Sequence, residues 1–338
     1  MKRKDGGEKK VRRKDGKGKW IMIYILAFLA AFAGSALFKL KYDPSHGKYS
    51  VKWSDAVGTK LTDLTYGDGE ANRFDLYLPA DSSRESYRLV VYLHPGGFTS
   101  GDKSGDAEMC QWLCSKGYVS ASINYTLFSK EHPDASIYTQ SVEIREAMPA
   151  VVKAAQDHGY RIDQMAVAGG SAGGCLALLY AYRDKDTSPV PVKMVFEAVG
   201  PSSFYPEDWG CFGLDQDTEK ALEAAAGLFG TMAGKKITPD MFGTEEYDEA
   251  MKEISALLWV DAGTVPTVMA YGKYDRVQSY PASERLDRAL TDAGVEHEYI
   301  VCEHSGHGLQ NDNAQFGKYM EAVEEYLNRY LPALPVRS

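Results

Sequence analysis

The chain has 338 residues, 44% hydrophobic and 12% aromatic, which is enough to bury a sizeable core and too apolar for a disordered protein. Its formal net charge of −9 conceals an asymmetry: residues 1–19 carry ten Lys/Arg against three Asp/Glu, or +7, leaving −16 for everything after them. So acidic a body repels a phosphate backbone, and nucleic acid is excluded as a partner.

The basic tail, residues 1–19, runs into residues 20–38, Trp20 to Phe38, which contain no charge. As a helix rising about 1.5 Å per residue, this segment reaches about 28 Å, close to the hydrocarbon thickness of a bilayer. One membrane crossing is expected, with the basic tail cytoplasmic and the body carried to the other side. Ala31, Ala33 and Ala36 also offer small-residue cleavage sites, which would release a secreted form. The apolar run exceeds the usual signal-peptide h-region, so an uncleaved anchor is the preferred reading.

Residues 39–60 read as a polar stalk, with regular structure expected from about Leu61. Asn72 to Pro79 alternates apolar and polar residues as a half-buried strand does, and the turn-rich Ala80-Asp81-Ser82-Ser83 closes it. Arg88 to Leu93 is a nearly continuous apolar run, suited to a central strand covered on both faces. It delivers His94-Pro95-Gly96-Gly97-Phe98, where adjacent glycines leave backbone N–H groups free to approach a developing negative charge.

Helix and strand then alternate: a helix near 107–116, a strand at 118–125, a long amphipathic helix near 137–158, then a strand at 165–168. That last strand enters Gly169-Gly170-Ser171-Ala172-Gly173, a G-x-S-x-G pattern followed at once by an Ala/Leu-rich helix. The pattern permits a cramped strand-to-helix turn that lifts a serine hydroxyl out of the sheet and aims helix N-terminal N–H groups at any oxyanion formed there. Strands separated by helices of this length imply right-handed crossovers and a mostly parallel sheet.

After a strand at 192–199 the character changes. Residues 201–257 hold twelve Asp/Glu and four Lys, with short helical stretches near 219–229 and 245–255, and read as an insertion over the carboxyl edge of the sheet. Its aromatic residues, among them Phe204, Trp209, Phe229 and Phe242, are expected mainly to pack its own core. Alternation resumes with a strand at 266–271, a helix near 282–293, a strand at 297–302 and a last helix near 314–330. The five cysteines are scattered and odd in number, so no disulfide framework is expected, and Cys110 and Cys114 are read as core residues.

Ser171, Asp275 and His307 each fall just past the end of a separate strand, which brings them to one edge of the sheet. A serine hydroxyl needs an imidazole to take its proton and a carboxylate to hold that imidazole's tautomer. His304 is the rival base, ranked second because Gly306 and Gly308 flank His307 and let its loop bend. This chemistry calls for no metal and no cofactor.

The stretches LVVYLHPGGF, RIDQMAVAGGSAGG, ISALLWVDAGTVPTVMAYGKYDRV and EHSGHGL together resemble the α/β-hydrolase superfamily, in its branch of acetyl esterases and hormone-sensitive-lipase-like carboxylesterases, over residues 61–332. The resemblance implies an α/β-hydrolase fold of about eight mostly parallel strands with helices on both faces and a cap insertion near 201–257. It also implies Ser171 as nucleophile, Asp275 as acid, His307 as base, and the amides of Gly96, Gly97 and Ala172 as the oxyanion hole. Pro95 departs from the family's His-Gly-Gly-Gly and lacks an N–H, but the donors fall on the two following positions, which are glycine here. The expected activity is hydrolysis of carboxylic esters, short and neutral, including esters borne on carbohydrate. A peptidase of the prolyl-oligopeptidase type, or a binding protein that keeps the fold without catalysis, is the alternative.

Overall fold

Eight strands form one sheet: β1 (Gly58–Thr65), β2 (Arg73–Pro79), β3 (Tyr87–Leu93), β4 (Val119–Ile123), β5 (Ile162–Gly170), β6 (Val192–Ala198), β7 (Thr267–Gly272) and β8 (His297–Cys302). Their order is β1-β2-β4-β3-β5-β6-β7-β8; β1 and β2 pair antiparallel, and the six strands from β4 to β8 run parallel. The computed structural model describes residues 46–335. The segment read as a membrane crossing, 20–38, lies outside the described residues, as do the basic tail and residues 39–45. Among the described residues no helix is long and apolar enough to cross a membrane.

Strands β3, β4 and β7 are buried almost throughout, the place that runs such as Leu89-Val90-Val91 demand, since an apolar side chain on either face must be covered. The cover comes from α1 (Ala107–Ser115), α2 (Ile137–Asp157), α3 (Ala172–Tyr182), α6 (Tyr280–Asp292) and α7 (Asn313–Tyr330). Helix α3 is buried along its whole length and packs on β3, β5 and β6, which explains an Ala/Leu composition without a polar face. Cys110 and Cys114 of α1 are free thiols buried beside Tyr77.

From β3 the chain moves outward to β4, whereas from β5 it moves the other way to β6. The carboxyl ends of β3 and β5 therefore flank the point where connections diverge, the position at which open α/β sheets generally bind ligands. Leu93 lies opposite Gly169 there, so the Gly96-Gly97 loop and Ser171 leave the sheet side by side.

Three boundaries differ from the sequence reading. The first strand starts at Gly58, not near Leu61, and Trp53 already rests edge-on against Tyr77 with ring centroids 5.7 Å apart. The strand before the serine runs from Ile162, because parallel pairing with β3 extends through Tyr87. In the insertion, α4 (Glu219–Ala233) runs longer than 219–229 and stops at Gly234 in the left-handed conformation, whereas α5 (Glu245–Met251) ends early and tightens into a 3-10 turn. Phe204 stacks on Trp209 and Phe229 meets both edge-on, forming the core of segment 201–257 and leaving Phe212 exposed.

Candidate active site

Ser171 sits between β5 and α3 at φ 51°, ψ −119°, backbone space that a residue with a side chain occupies only under strain of about 1–3 kcal/mol. Its N–H is tied to the Ala198 carbonyl at 2.8 Å. The flanking glycines have different reasons. A Cβ on Gly169 would lie 2.4 Å from the Gly173 carbonyl, and one on Gly173 would lie 1.9 Å from the Leu93 oxygen, so backbone packs on backbone at both. At Gly170 the nearest atom would be the Tyr92 hydroxyl at 3.7 Å, ordinary contact.

From this turn a hydrogen-bonded chain leads inward. Ser171 Oγ lies 2.9 Å from His307 Nε2, and His307 Nδ1 lies 2.7 Å from Asp275 Oδ2. Asp275 is 7% exposed, and its other oxygen accepts the N–H groups of Val277 at 2.8 Å and Gln278 at 3.0 Å. With the carboxylate so fixed, Nδ1 is the nitrogen that donates to it. Nε2 is then left as the acceptor that a serine proton needs.

The loop of His307 is pressed onto the end of β7: a Cβ on Gly272 would meet the Gly306 oxygen at 2.2 Å, and Tyr274 N–H donates to the Ser305 carbonyl at 3.0 Å. His304, the rival base, has its side chain 79% exposed and its Nδ1 2.9 Å from Asp312 Oδ1. Asp312 also accepts the Ser305 hydroxyl at 2.6 Å, so His304 belongs to a separate cluster at the start of α7.

The loop after β3 runs through three consecutive residues with positive φ, Gly96 at 138°, Gly97 at 60° and Phe98 at 67°. The Gly96 carbonyl accepts Thr99 N–H at 3.2 Å, Ser100 N–H at 3.0 Å and the Ser100 hydroxyl at 2.8 Å. Because a trans peptide sets C=O and N–H in opposite directions, this anchoring points the Gly97 N–H away from the turn. Neither Gly96 nor Gly97 donates its N–H to an acceptor among the described residues. Pro95 is accommodated, its oxygen accepting from His94 Nδ1 at 2.9 Å. The His94 ring stacks on Tyr125, and burial holds its pKa below the usual histidine range. Gly96 and Gly97 thus follow β3 and Ala172 opens α3 after β5, at the carboxyl ends of two neighbouring strands.

Two features escaped the sequence reading. Glu197 in β6 is fully buried behind the elbow, with one oxygen accepting Gly200 N–H at 2.7 Å; burial pushes its carboxyl up to about 8. A charged residue inside the apolar run VKMVFEAVG is the signal that could have marked it. A cavity of about 640 Å³ also opens between segment 201–257 and the turn after β7, lined by Glu207, Cys211, Asp215, Tyr274, Asp275 and Arg276 among others. No sequence pattern announces it, because its walls lie some 60 residues apart.

A family model described as BD-FAE matches residues 74–290, more than half of the chain. A probable carboxylic ester hydrolase, LipM, of Mycobacterium tuberculosis is 30% identical over 127 residues, covering 37% of this chain and 28% of that protein. A kynurenine formamidase of Danio rerio is 31% identical over 147 residues, 42% of this chain and 46% of that one. The chain therefore spans less than half the length of either relative. Among solved structures, a truncated carbohydrate esterase from gut microbiota superposes with a TM-score of 0.63 at 17% identity, covering 82% of this chain and 98% of the other. The fold is that of the α/β-hydrolases.

Proposed function

The chain belongs to the BD-FAE family, and from that premise we propose that it hydrolyses carboxylic esters with Ser171 as nucleophile, His307 as general base and Asp275 as the carboxylate that holds the imidazole. The observation that carries this reading is the unbroken Ser171–His307–Asp275 hydrogen-bonded chain at a strained elbow. Ser171 Oγ attacks the carbonyl carbon while His307 Nε2 takes its proton. The oxyanion is met by the N–H groups of Gly96, Gly97 and Ala172. The bond to the alcohol oxygen breaks as His307 returns the proton to it, and water repeats the sequence on the acyl-enzyme.

The substrate in this reading is a short, neutral acyl ester, acetyl to butyryl, free or borne on carbohydrate. The insertion's formal charge of −8 supports neutrality, since it repels anionic head groups. On the sequence alone, the uncharged segment 20–38 behind its basic tail holds the body at the outer face of a membrane.

A panel of nitrophenyl esters of rising chain length, with acetylated sugars and an N-formyl anilide added, tests the proposal. The highest kcat/KM is expected between acetyl and butyryl, and it should vanish in Ser171→Ala. A maximum at about twelve carbons or more would make the protein a lipase, and a preference for the anilide would favour the activity named in the formamidase relative. Absence of both turnover and fluorophosphonate labelling would remove the enzyme reading altogether.

A further inference from the structure

The loop bearing the Gly96 and Gly97 amides is held from below by a residue far away in sequence. Gln140 lies in the first turn of α2, 0% exposed, on a helix start that is itself pinned: Ser136 and Thr139 cap each other reciprocally, Thr139 N–H to Ser136 Oγ at 3.2 Å and Ser136 N–H to Thr139 Oγ1 at 2.8 Å. Both hydrogens of the Gln140 amide are used. Nε2 donates to the Phe98 carbonyl at 2.9 Å and to the Thr126 carbonyl at 2.9 Å. The Phe98 carbonyl also accepts Phe128 N–H at 3.0 Å.

The other end of the amide argues against simple packing. Gln140 Oε1 is buried without a hydrogen-bond partner, an unfavourable place for an acceptor. A methionine or leucine would fill similar volume without that penalty, so what the site gains from glutamine is the pair of donated bonds. Reversing the amide would set an oxygen against two carbonyl oxygens, so only one orientation is compatible. The bonds fall where the backbone needs restraint, because Phe98 is the one residue of the three left-handed positions in this loop that has a side chain.

We infer that Gln140 is a positioning residue for the oxyanion loop, holding the Phe98 carbonyl so that the Gly96 and Gly97 amides keep the path that a transition-state oxyanion requires. The inference rests on the serine-esterase reading above. Gln140 touches no reacting atom; it acts through the loop, and so its removal weighs on kcat more than on KM.

The test compares wild type, Gln140→Met and Gln140→Glu with an acetyl ester between pH 5 and 9, each protein also followed by thermal unfolding. Gln140→Met is expected to lose about 10- to 100-fold in kcat with KM within about twofold, less than deletion of a direct oxyanion donor. Gln140→Glu places a carboxylate against two carbonyl oxygens, and protonation restores one donor. Its activity relative to wild type should therefore rise as the pH is lowered. If the methionine variant fails to fold, the pH dependence of that ratio still decides. A ratio flat with pH, an unchanged kcat in Gln140→Met, or a loss confined to KM would overturn the inference while leaving an active wild type. A wild type that neither turns over esters nor takes a fluorophosphonate label would instead overturn the esterase reading and this inference with it.

Discussion

Replacing Glu197 by glutamine should change the pH dependence of stability in a calculable way. The side chain is fully buried, and its carboxyl is raised from 4.5 to about 8, chiefly by loss of hydration. Between those values the folded protein holds a proton that the unfolded chain releases. The contribution of this group to stability is thus full below about pH 4.5 and falls as the pH rises towards 8. At about 1.4 kcal/mol per pH unit, the window amounts to about 5 kcal/mol, a large part of the 5–15 kcal/mol typical of a folded domain. Glutamine keeps an oxygen for Gly200 N–H and cannot ionise. In urea unfolding at pH 5, 6, 7 and 8, the two proteins should nearly coincide at pH 5, and the variant should lead by about 3–5 kcal/mol at pH 8. Asp106, also pushed up to about 8 by burial and by the nearby Asp102 charge, keeps the same slope in both proteins and cancels from the difference. Parallel profiles would refute the reasoning, since they would mean that Glu197 ionises in the folded protein at no cost.

Ser171→Ala and His307→Ala should each lower kcat by several orders of magnitude, with the double mutant no worse than the single ones, and Asp275→Asn should cost as much or less. His304→Ala should stay within about twofold of wild type, because that ring is engaged with Asp312; inactivity there with an active His307→Ala would reverse the assignment. Around the elbow, Gly170→Ala should fold and retain activity, whereas Gly173→Ala, whose Cβ would lie 1.9 Å from a backbone oxygen, should lower the melting temperature by more than 10 °C; equal melting temperatures would contradict the packing described. Carbonate extraction of expressing cells should leave the full-length chain in the membrane pellet, and a soluble form beginning just after Ala36 would show a cleaved signal instead.

The parts of this protein that were legible in the sequence are those whose signal is local. An apolar run such as Leu89 to Leu93 suits a covered strand, and Ser171, Asp275 and His307 can be grouped because each lies shortly past a strand-like run. Strand β1 was not legible: it is a half-exposed edge strand whose pairing shifts between Leu61 and Leu64, so its residues do not alternate cleanly. Nor was the antiparallel placement of β2 between β1 and β4, which is set by pairing between segments almost 50 residues apart. Between His304 and His307 the sequence offers only glycine flanks, whereas the bonds of His304 to Asp312 come from a residue eight positions on and are visible only in the fold. Gln140 left no trace at all, since a glutamine in an amphipathic helix is ordinarily a solvated residue and its two acceptors come from distant loops.

The contact between Gly173 and Leu93 has a mechanical meaning. Where the first turn of α3 bears on the last peptide of β3 with no side chain between them, neither piece can shift without carrying the other. Ser171 precedes the first, and the Gly96-Gly97 loop, the proposed oxyanion loop, follows the second. In the proposed mechanism this main-chain contact, together with the Gln140 bond to the Phe98 carbonyl, fixes the spacing between the attacking hydroxyl and the oxyanion donors. If the proposal holds, substitutions among side chains facing the substrate should leave this backbone spacing unchanged.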